Sequence, residues 1–393
     1  MSGFMYYTPT KVVFGKDAEA QVGALVAEQN ARKVLLHHGG GSVVKSGLLN
    51  RVKASLTEAG VDFIELGGAV PNPRLSLVYR GIELCRSEDV DFLLAVGGGS
   101  TVDSAKAIAF GAAEDGDVWD LFDRKRQATA CLPVGVVLTL AATGSEMSDS
   151  TVITNEDGWI KRGYGSNLCR PVFAVMNPDL TKTLPDYQTA CGCTDILMHT
   201  MERYFVSVPR LELTDSIAEA LMRTVIHYAG VLKNDPQNDR ARAEIMWAGS
   251  LSHNDLTGSR ANGGADFSSH ALEHELGGVY DVAHGAGLAA VWGSWARYVY
   301  RDCLPRFKKF AVRVMGVAET GTDEEIALKG IEAMEGFFRS IGMPISLAEL
   351  GIHPTDEELK QLAHKCSVSA GGAKGSAKVL HEADMLAIYR MAL

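Results

Sequence analysis

No stretch of the 393 residues is apolar for long enough to cross a bilayer, and no two cysteines have the C-x-x-C separation of a common zinc site. A basic face is missing too. The chain has 38 Lys and Arg against 48 Asp and Glu, a formal net charge of −10, which argues against nucleic acid as a partner. The opening segment, MSGFMYYTPTKVVFG, lacks the charged-then-apolar order of a secretion signal. The seven cysteines are odd in number and scattered, so a disulfide framework is not expected and a reducing cytoplasm is the expected compartment. Cys191 and Cys193 stand just ahead of Asp195 and invite a metal reading, but small apolar packing is the commoner fate of such residues. What is present is a globular composition: 46% hydrophobic, 22% charged, and 41 glycines without a repeating period. A chain of this length exceeds one ordinary core, so two domains and small-molecule chemistry are expected.

The first half alternates. Short apolar runs at Val34–His38, Phe63–Leu66 and Phe92–Val96 end in glycine turns, and helical periodicity fills Glu19–Gln29, Val43–Ala59 and Leu75–Arg86. Two further β-like runs, Val134–Leu138 and Val172–Val175, extend the pattern. Strand, turn and helix in repetition predict βαβ units and a parallel sheet. From Asp186 onward β-like runs nearly vanish, and amphipathic stretches such as Ser216–Val231, Ala241–Leu256, Ala286–Tyr300, Glu324–Ile341 and Thr355–Cys366 predict an all-helical half. Pro178 and Pro185 punctuate the join, giving an α/β dinucleotide-binding domain over 1–181 and a helical metal-binding domain over 182–393.

Glycine turns that follow strands let a phosphate approach the backbone, and the next helix offers free N–H groups. Gly97-Gly98-Gly99-Ser100 fits that role, with Ser100 as the expected cap of a helix starting at Thr101. It is not the G-x-G-x-x-G fingerprint, because Val102 stands where the third glycine would be, and Asp103 reads as the far member of a capping box. A second such turn, Gly39–Ser42, follows an earlier strand. The equivalent strand end in a dinucleotide site often carries an Asp or Glu for the ribose 2′-OH. Here backbone N–H groups, Ser42 and Lys45 take its place, which suits a 2′-phosphate and so NADP(H).

The helical half carries nine of the eleven histidines. Asp195 and His199 are spaced i, i+4, His270 and His274 repeat the spacing, and His284 follows, expected past a turn at Gly277-Gly278. One carboxylate and several imidazoles suit Fe(II), Zn(II) or a similar first-row ion. A lone Asp/His pair is more often a surface or capping contact. Spacing alone leaves five candidates for four places.

Taken together, these residues resemble the iron-containing, or group III, alcohol dehydrogenases. The resemblance runs through Phe14-Gly15, Pro71-Asn72-Pro73, the segment Gly97–Lys106, Thr143-Gly144-Ser145-Glu146, Asn177-Pro178-Asp179, and His270, His274 and His284-Gly285. It is nearest to the NADPH-dependent branch of butanol dehydrogenases and broad-range aldehyde reductases. Leu140-Ala141-Ala142 departs mildly from the proline-containing form common there. The resemblance implies an N-terminal Rossmann-like domain with a parallel sheet, an all-α C-terminal domain as in dehydroquinate synthases, and a metal in the cleft. By the family pattern Asp195, His199, His270 and His284 coordinate one divalent metal, while His274 lies near the nicotinamide as the catalytic candidate. Gly39, Gly40 and Ser42 would meet the 2′-phosphate side, Asn72 would lie beside the cofactor, and Gly98, Gly99 and Ser100 would lie under the pyrophosphate. Asp103, Thr139, Thr143, Ser145 and Lys161 would line the rest of the groove. A homodimer is also implied.

The activity so implied is reversible hydride transfer between NADP(H) and a primary alcohol or aldehyde, with the metal as Lewis acid. Rival readings are a glycerol-dehydrogenase-like polyol dehydrogenase, a dehydroquinate-synthase-like lyase, and a binding protein that has lost its chemistry. The lyase would need many basic residues around a phosphorylated substrate, and the segments 194–203 and 268–287 offer only Arg203.

Overall fold

A computed structural model describes residues 3–259 and 264–393. The chain divides into two compact units, Thr8–Thr183 and Leu184–Leu393. Residues 3–7 group with the second unit rather than with the α/β unit to which chain order assigns them.

The first unit is a parallel sheet flanked by helices. Its strands are β1 (Lys11–Phe14), β2 (Lys33–Gly39), β3 (Asp62–Ala69), β4 (Phe92–Gly97), β5 (Val134–Leu138), β6 (Ser150–Asn155), β7 (Ile160–Gly165) and β8 (Phe173–Met176). Six of them form one sheet in the order β1-β8-β5-β4-β2-β3, with every pairing parallel. All of β4 and β5 is buried, as expected for strands covered on both faces. On one face Val34 and Leu36 pack with Val43, Leu48, Val52 and Leu56 of the following helical segments. Each such side chain contributes about 1.5–3 kcal/mol on full burial.

Several local expectations change. The periodic run from Val43 is two helices, Gly41–Lys45 and Leu48–Glu58, parted by Gly47 at φ 73°, a left-handed conformation that glycine adopts without steric cost. The stretch from Glu19 splits into a 3₁₀ turn, Ala18–Gln21, and a short helix, Val22–Ala27. The edge strand β1 and the antiparallel hairpin β6-β7 were not legible in the pattern. β1 is only four residues long, and polar residues and glycine interrupt the apolar positions of the half-buried hairpin strands.

The second unit is helical. Its principal helices are Asp186–Tyr204, Glu212–Asn234, Asp239–Ser252, Ser268–Tyr280, His284–Val299, Leu304–Arg313, Asp323–Ser340, Asp356–Ser369 and Glu382–Met391. Capping boxes Thr322/Glu325 and Thr355/Glu358 start two of them, each satisfying helix-terminal N–H groups that would otherwise lack partners. Two helices run through the core. Asp186–Tyr204 is buried from Gly192 onward, and His284–Val299 is buried from Gly285 to Ala296. They touch closely, since a Cβ on Gly285 would lie 2.1 Å from the carbonyl oxygen of Cys191. Only glycine permits that approach.

One buried group in the sheet has a measurable consequence. His37 on β2 is fully buried and its Nδ1–H donates to the Leu66 carbonyl at 2.8 Å. Burial drives its pKa down from 6.5 to about 4, the bond to Leu66 opposing and the neighbouring His38 adding. Below pH 6.5 the unfolded chain takes up a proton that the folded chain refuses, so stability falls as pH drops from 6.5 towards 4. The loss reaches about 3 kcal/mol at the lower end. Urea midpoints measured across this range should show a shallower pH slope for His37→Leu than for the wild type. An identical slope would remove His37 from the account.

Candidate metal centre and nucleotide turns

Asp195 and His199 lie one turn apart on the buried face of Asp186–Tyr204, and His270 and His274 lie one turn apart on Ser268–Tyr280. His284 opens the next helix. The break between these last two helices falls at Asp281 (φ 51°), while the expected turn residues Gly277 and Gly278 are helical and buried. Flexible as they are, glycines inside a packed helix do not end it when their neighbours bury well.

The arrangement converges on one oxygen. His199 Nδ1, His270 Nε2 and His284 Nε2 stand 3.5, 3.5 and 3.6 Å from Asp195 Oδ1. The donor atoms of Asp195, His199 and His270 all lie within 4.8 Å of one another. Asp195, His199 and His270 are buried, yet Asp195 Oδ1, His199 Nδ1 and His270 Nε2 make no hydrogen bond among the described residues. Buried polar atoms are ordinarily satisfied, so three adjacent ones demand an explanation. Four donors around one ion, with bonds of about 2.1 Å, would be spaced about 3.4 Å apart at the edges of a tetrahedron. The observed spacings fit a cation of that kind, and an Asp/His donor set suits a first-row divalent metal.

Charge follows the same lines. Burial alone would raise the Asp195 carboxyl, but His199, His284 and His270 overcome it and hold the group well below the usual carboxylate range. Burial lowers His199 strongly, with Asp195 opposing. At His270 burial also pushes down, and the carboxylates of Glu202 and Asp195 outweigh it to lift the ring to about 9.

Glu202 and Glu273 were missed in the sequence. Glu202 meets His270 Nδ1, and Glu273 meets His284 Nδ1, each on the far side of the ring from Asp195. Their signal was present: Glu202 continues the 195, 199, 202 face, and Glu273 lies three residues after His270. Glu273, His274 and His284 form a second cluster of possible ligand atoms. The Glu273 contact is to the ring nitrogen facing away from Asp195, which makes it a support for His284 rather than a separate ion site. His274 is half-buried, its ring centroid 6.3 Å from that of His270 and 5.9 Å from that of His284. His253, also missed, lies edge-on to His199 at 4.0 Å between centroids. Cys191 and Cys193 are free thiols pushed up to about 12 by burial, and neither joins a cluster of ligand atoms.

In the α/β unit the two glycine turns follow β2 and β4, which are neighbours in the sheet. The chain runs outward from β2 to β3 and then crosses to β4, so the turns sit at the switch point where open α/β sheets bind ligands. Gly39 ends β2 at a shift in register, and Gly40 precedes the helix that carries Ser42 and Lys45. Gly98 precedes the helix Gly99–Ala113, which begins at Gly99 and not at Thr101 as the sequence suggested, so Ser100 lies in its first turn and makes no cap bond. A Cβ on Gly99 would lie 2.4 Å from Thr143 Oγ1, and one on Gly39 would lie 3.4 Å from Thr101 Oγ1. The turns are close-packed as well as adjacent.

Asp103 does not complete a capping box. It accepts the Ser145 hydroxyl at 2.6 Å and the Val152 N–H at 3.0 Å. Lys106, fully buried, donates to the carbonyls of Ser145, Ser148 and Ser150 at 2.6, 2.9 and 2.9 Å. Asp103 and Ser145 therefore brace the loop after β5, with Lys106 as an unforeseen third member. Thr139 leads that loop, its N–H donating to the Gly97 carbonyl at 3.0 Å. Thr143 Oγ1 accepts the Ser145 N–H at 3.1 Å. Asn72 adopts φ 52° beyond β3, and Pro73 receives the Thr154 N–H at 2.8 Å, tying this turn to the hairpin that bears buried Lys161.

Comparison with known proteins agrees with this geometry. The description "Iron-containing alcohol dehydrogenase" matches residues 9–178, and "Fe-containing alcohol dehydrogenase family, C-terminal" matches 189–393. The chain is 42% identical to the "Probable NADH-dependent butanol dehydrogenase 1" of Bacillus subtilis over all of both chains. It is 35% identical to the "NADPH-dependent aldehyde reductase YqhD" of Escherichia coli over 90% of each. The crystal structure of NADH-dependent butanol dehydrogenase A from Thermotoga maritima superposes with a TM-score of 0.95 at 37% identity, covering 100% of this chain and 99% of that one. With an all-parallel sheet bearing two glycine turns at its switch point and a buried Asp/His cluster among helices, this chain belongs to the iron-containing alcohol dehydrogenase family.

Proposed function

We propose that the protein is an NADP(H)-dependent aldehyde reductase and alcohol dehydrogenase acting on primary alcohols and their aldehydes, with one Fe(II) or Zn(II) ion held by Asp195, His199, His270 and His284. The observation that carries this reading is the approach of three imidazole nitrogens to within 3.6 Å of Asp195 Oδ1 without hydrogen-bond partners for the buried atoms. When bound, such an ion supplies Lewis acidity towards a carbonyl oxygen.

The chain's own groups do the rest. Gly98, Gly99 and Ser100 offer first-turn N–H groups and the positive end of the helix Gly99–Ala113 to a pyrophosphate. Asn72, Thr139, Thr143 and Lys161 line the neighbouring loops, while Asp103 and Ser145 act through the brace described above. In reduction the carbonyl carbon gains a hydride and its oxygen gains a proton. We assign delivery of that proton to an imidazole nitrogen of His274.

The relatives include proteins named for NADH and others named for NADPH or NADP, so cofactor preference rests on the first turn of this chain. No acidic residue ends β2. The Lys45 side chain folds back over the turn, its Cε 3.5 Å and its Nζ 4.0 Å from the position of a Cβ on Gly41. Glu65 on β3, 3.9 Å from His38, is already paired with Lys53 at 2.7 Å. An exposed ammonium and serine at a helix start favour a 2′-phosphate. A lyase acting on a phosphorylated substrate is disfavoured, because Arg203 is fully buried, donates to the His199 carbonyl at 3.0 Å and lies over Phe267.

Reduction of a short aliphatic aldehyde, followed with NADPH and with NADH before and after chelation, tests the reading. NADPH should show the lower KM, and chelation should abolish turnover until a divalent ion is restored. Equal or lower KM for NADH would remove the 2′-phosphate preference, and full turnover in chelator would remove the metal.

For His274→Ala, kcat should fall about 10²–10⁴-fold with an altered pH profile and unchanged metal content. Wild-type kcat and pH profile would end its role.

A further inference from the structure

Glu202 and Glu273 are completely buried, each at 0% exposure. An ionised carboxylate taken out of water is costly unless its oxygens are well satisfied, so acids in this position need specific partners. Glu202 has two. Its Oε1 accepts the backbone N–H of His270 at 3.0 Å, and its Oε2 meets the Nδ1 of the same residue. The backbone bond also closes one of the open N–H groups at the start of Ser268–Tyr280, whose N-cap residue Phe267 supplies no side-chain bond. Glu273 meets His284 Nδ1 through its Oε2. It lies flat against the helix His284–Val299, where a Cβ on Gly287 would come within 2.9 Å of its Cγ.

A neutral imidazole carries one N–H and one lone pair, and an ionised carboxylate can only accept. A carboxylate against Nδ1 therefore requires Nδ1–H, and in the neutral ring that binds a cation the lone pair is then on Nε2. In both rings Nε2 is the atom turned towards Asp195 Oδ1, at 3.5 Å for His270 and 3.6 Å for His284. We propose that Glu202 and Glu273 are positioning residues that lock His270 and His284 as Nδ1–H tautomers, aiming both Nε2 lone pairs at one divalent cation. This rests on the metal reading above. The two acids come from the helices that carry His199 and His270, so each ligand ring is held by a helix other than its own.

Glutamine at either position keeps the shape and removes the charge. At 202 the conflict is sharper: one carbonyl oxygen cannot serve both the His270 N–H and Nδ1–H, and the amide NH₂ would face a donor. The test is Zn(II) affinity by chelator competition for the wild type, E202Q and E273Q, with apoprotein melting curves recorded alongside. Each variant should bind zinc about 10–100-fold more weakly at a temperature where its melting curve shows the apoprotein folded. Zinc affinities within twofold of the wild type in both variants would overturn the proposal.

A measurement on the unmodified chain guards against a variant that does not fold. In the zinc-loaded wild type, long-range ¹H–¹⁵N correlations should report Nδ1–H for His270 and His284, and Nε2–H at either ring would overturn the assignment. A wild type that takes up no zinc at all would instead sink the metal reading itself, and this proposal with it.

Discussion

A carboxylate at 2% exposure, set among three imidazoles where core helices meet, is the constraint around which the helical unit is arranged. Asp195 alone in such a place would favour the neutral form by desolvation. The rings of His199, His270 and His284 reverse that preference and keep it ionised. The rings are themselves committed, two of them by carboxylates behind them. The result is a compact set of carboxylate and imidazole donors whose central atoms, Asp195 Oδ1, His199 Nδ1 and His270 Nε2, make no hydrogen bond among the described residues, a set matched to a divalent cation. Gly285 belongs to the same constraint, because the contact of its backbone with Cys191 brings the helix bearing His284 onto the helix bearing Asp195.

The α/β unit solves a different problem by geometry. Strands β2 and β4 lie side by side although β3 separates them in sequence, and the connections leave in opposite directions. Two glycine turns are thereby placed at one crevice, each followed by a helix N-terminus. The loop after β5 is held against the second turn by Lys106 and Asp103, which between them take three carbonyls, a hydroxyl and an amide of the segment from Ser145 to Val152. A buried ammonium of this kind serves shape, since all its described partners are neutral oxygens of one loop.

The legible part of this molecule is the part encoded in local pattern. The strands at Val34, Phe92 and Val134 announce themselves because a sheet covered on both faces reads as uninterrupted apolar sequence. The long helices of the second half do so through their periodicity. The hairpin β6-β7 does not, because its half-buried strands of Ser, Thr, Lys and Gly carry little apolar contrast, and edge strand β1, though mostly apolar, is only four residues long. In the site, spacing brought out Asp195, His199, His270, His274 and His284 but could not rank them, since proximity across three helices is a tertiary fact. Glu202 and Glu273 share helix faces with the histidines, yet neither they nor Lys106 stand out in the sequence, for a related reason. A buried acid or lysine looks like a surface charge until its partners are known.

The central claim is that Asp195 and the three imidazoles facing it form one cation site. Elemental analysis of protein reconstituted with Fe(II) or Zn(II), comparing the wild type with Asp195→Ala, tests it most directly. The account predicts one ion per chain in the wild type and almost none in the variant. One ion retained per chain in Asp195→Ala would contradict it.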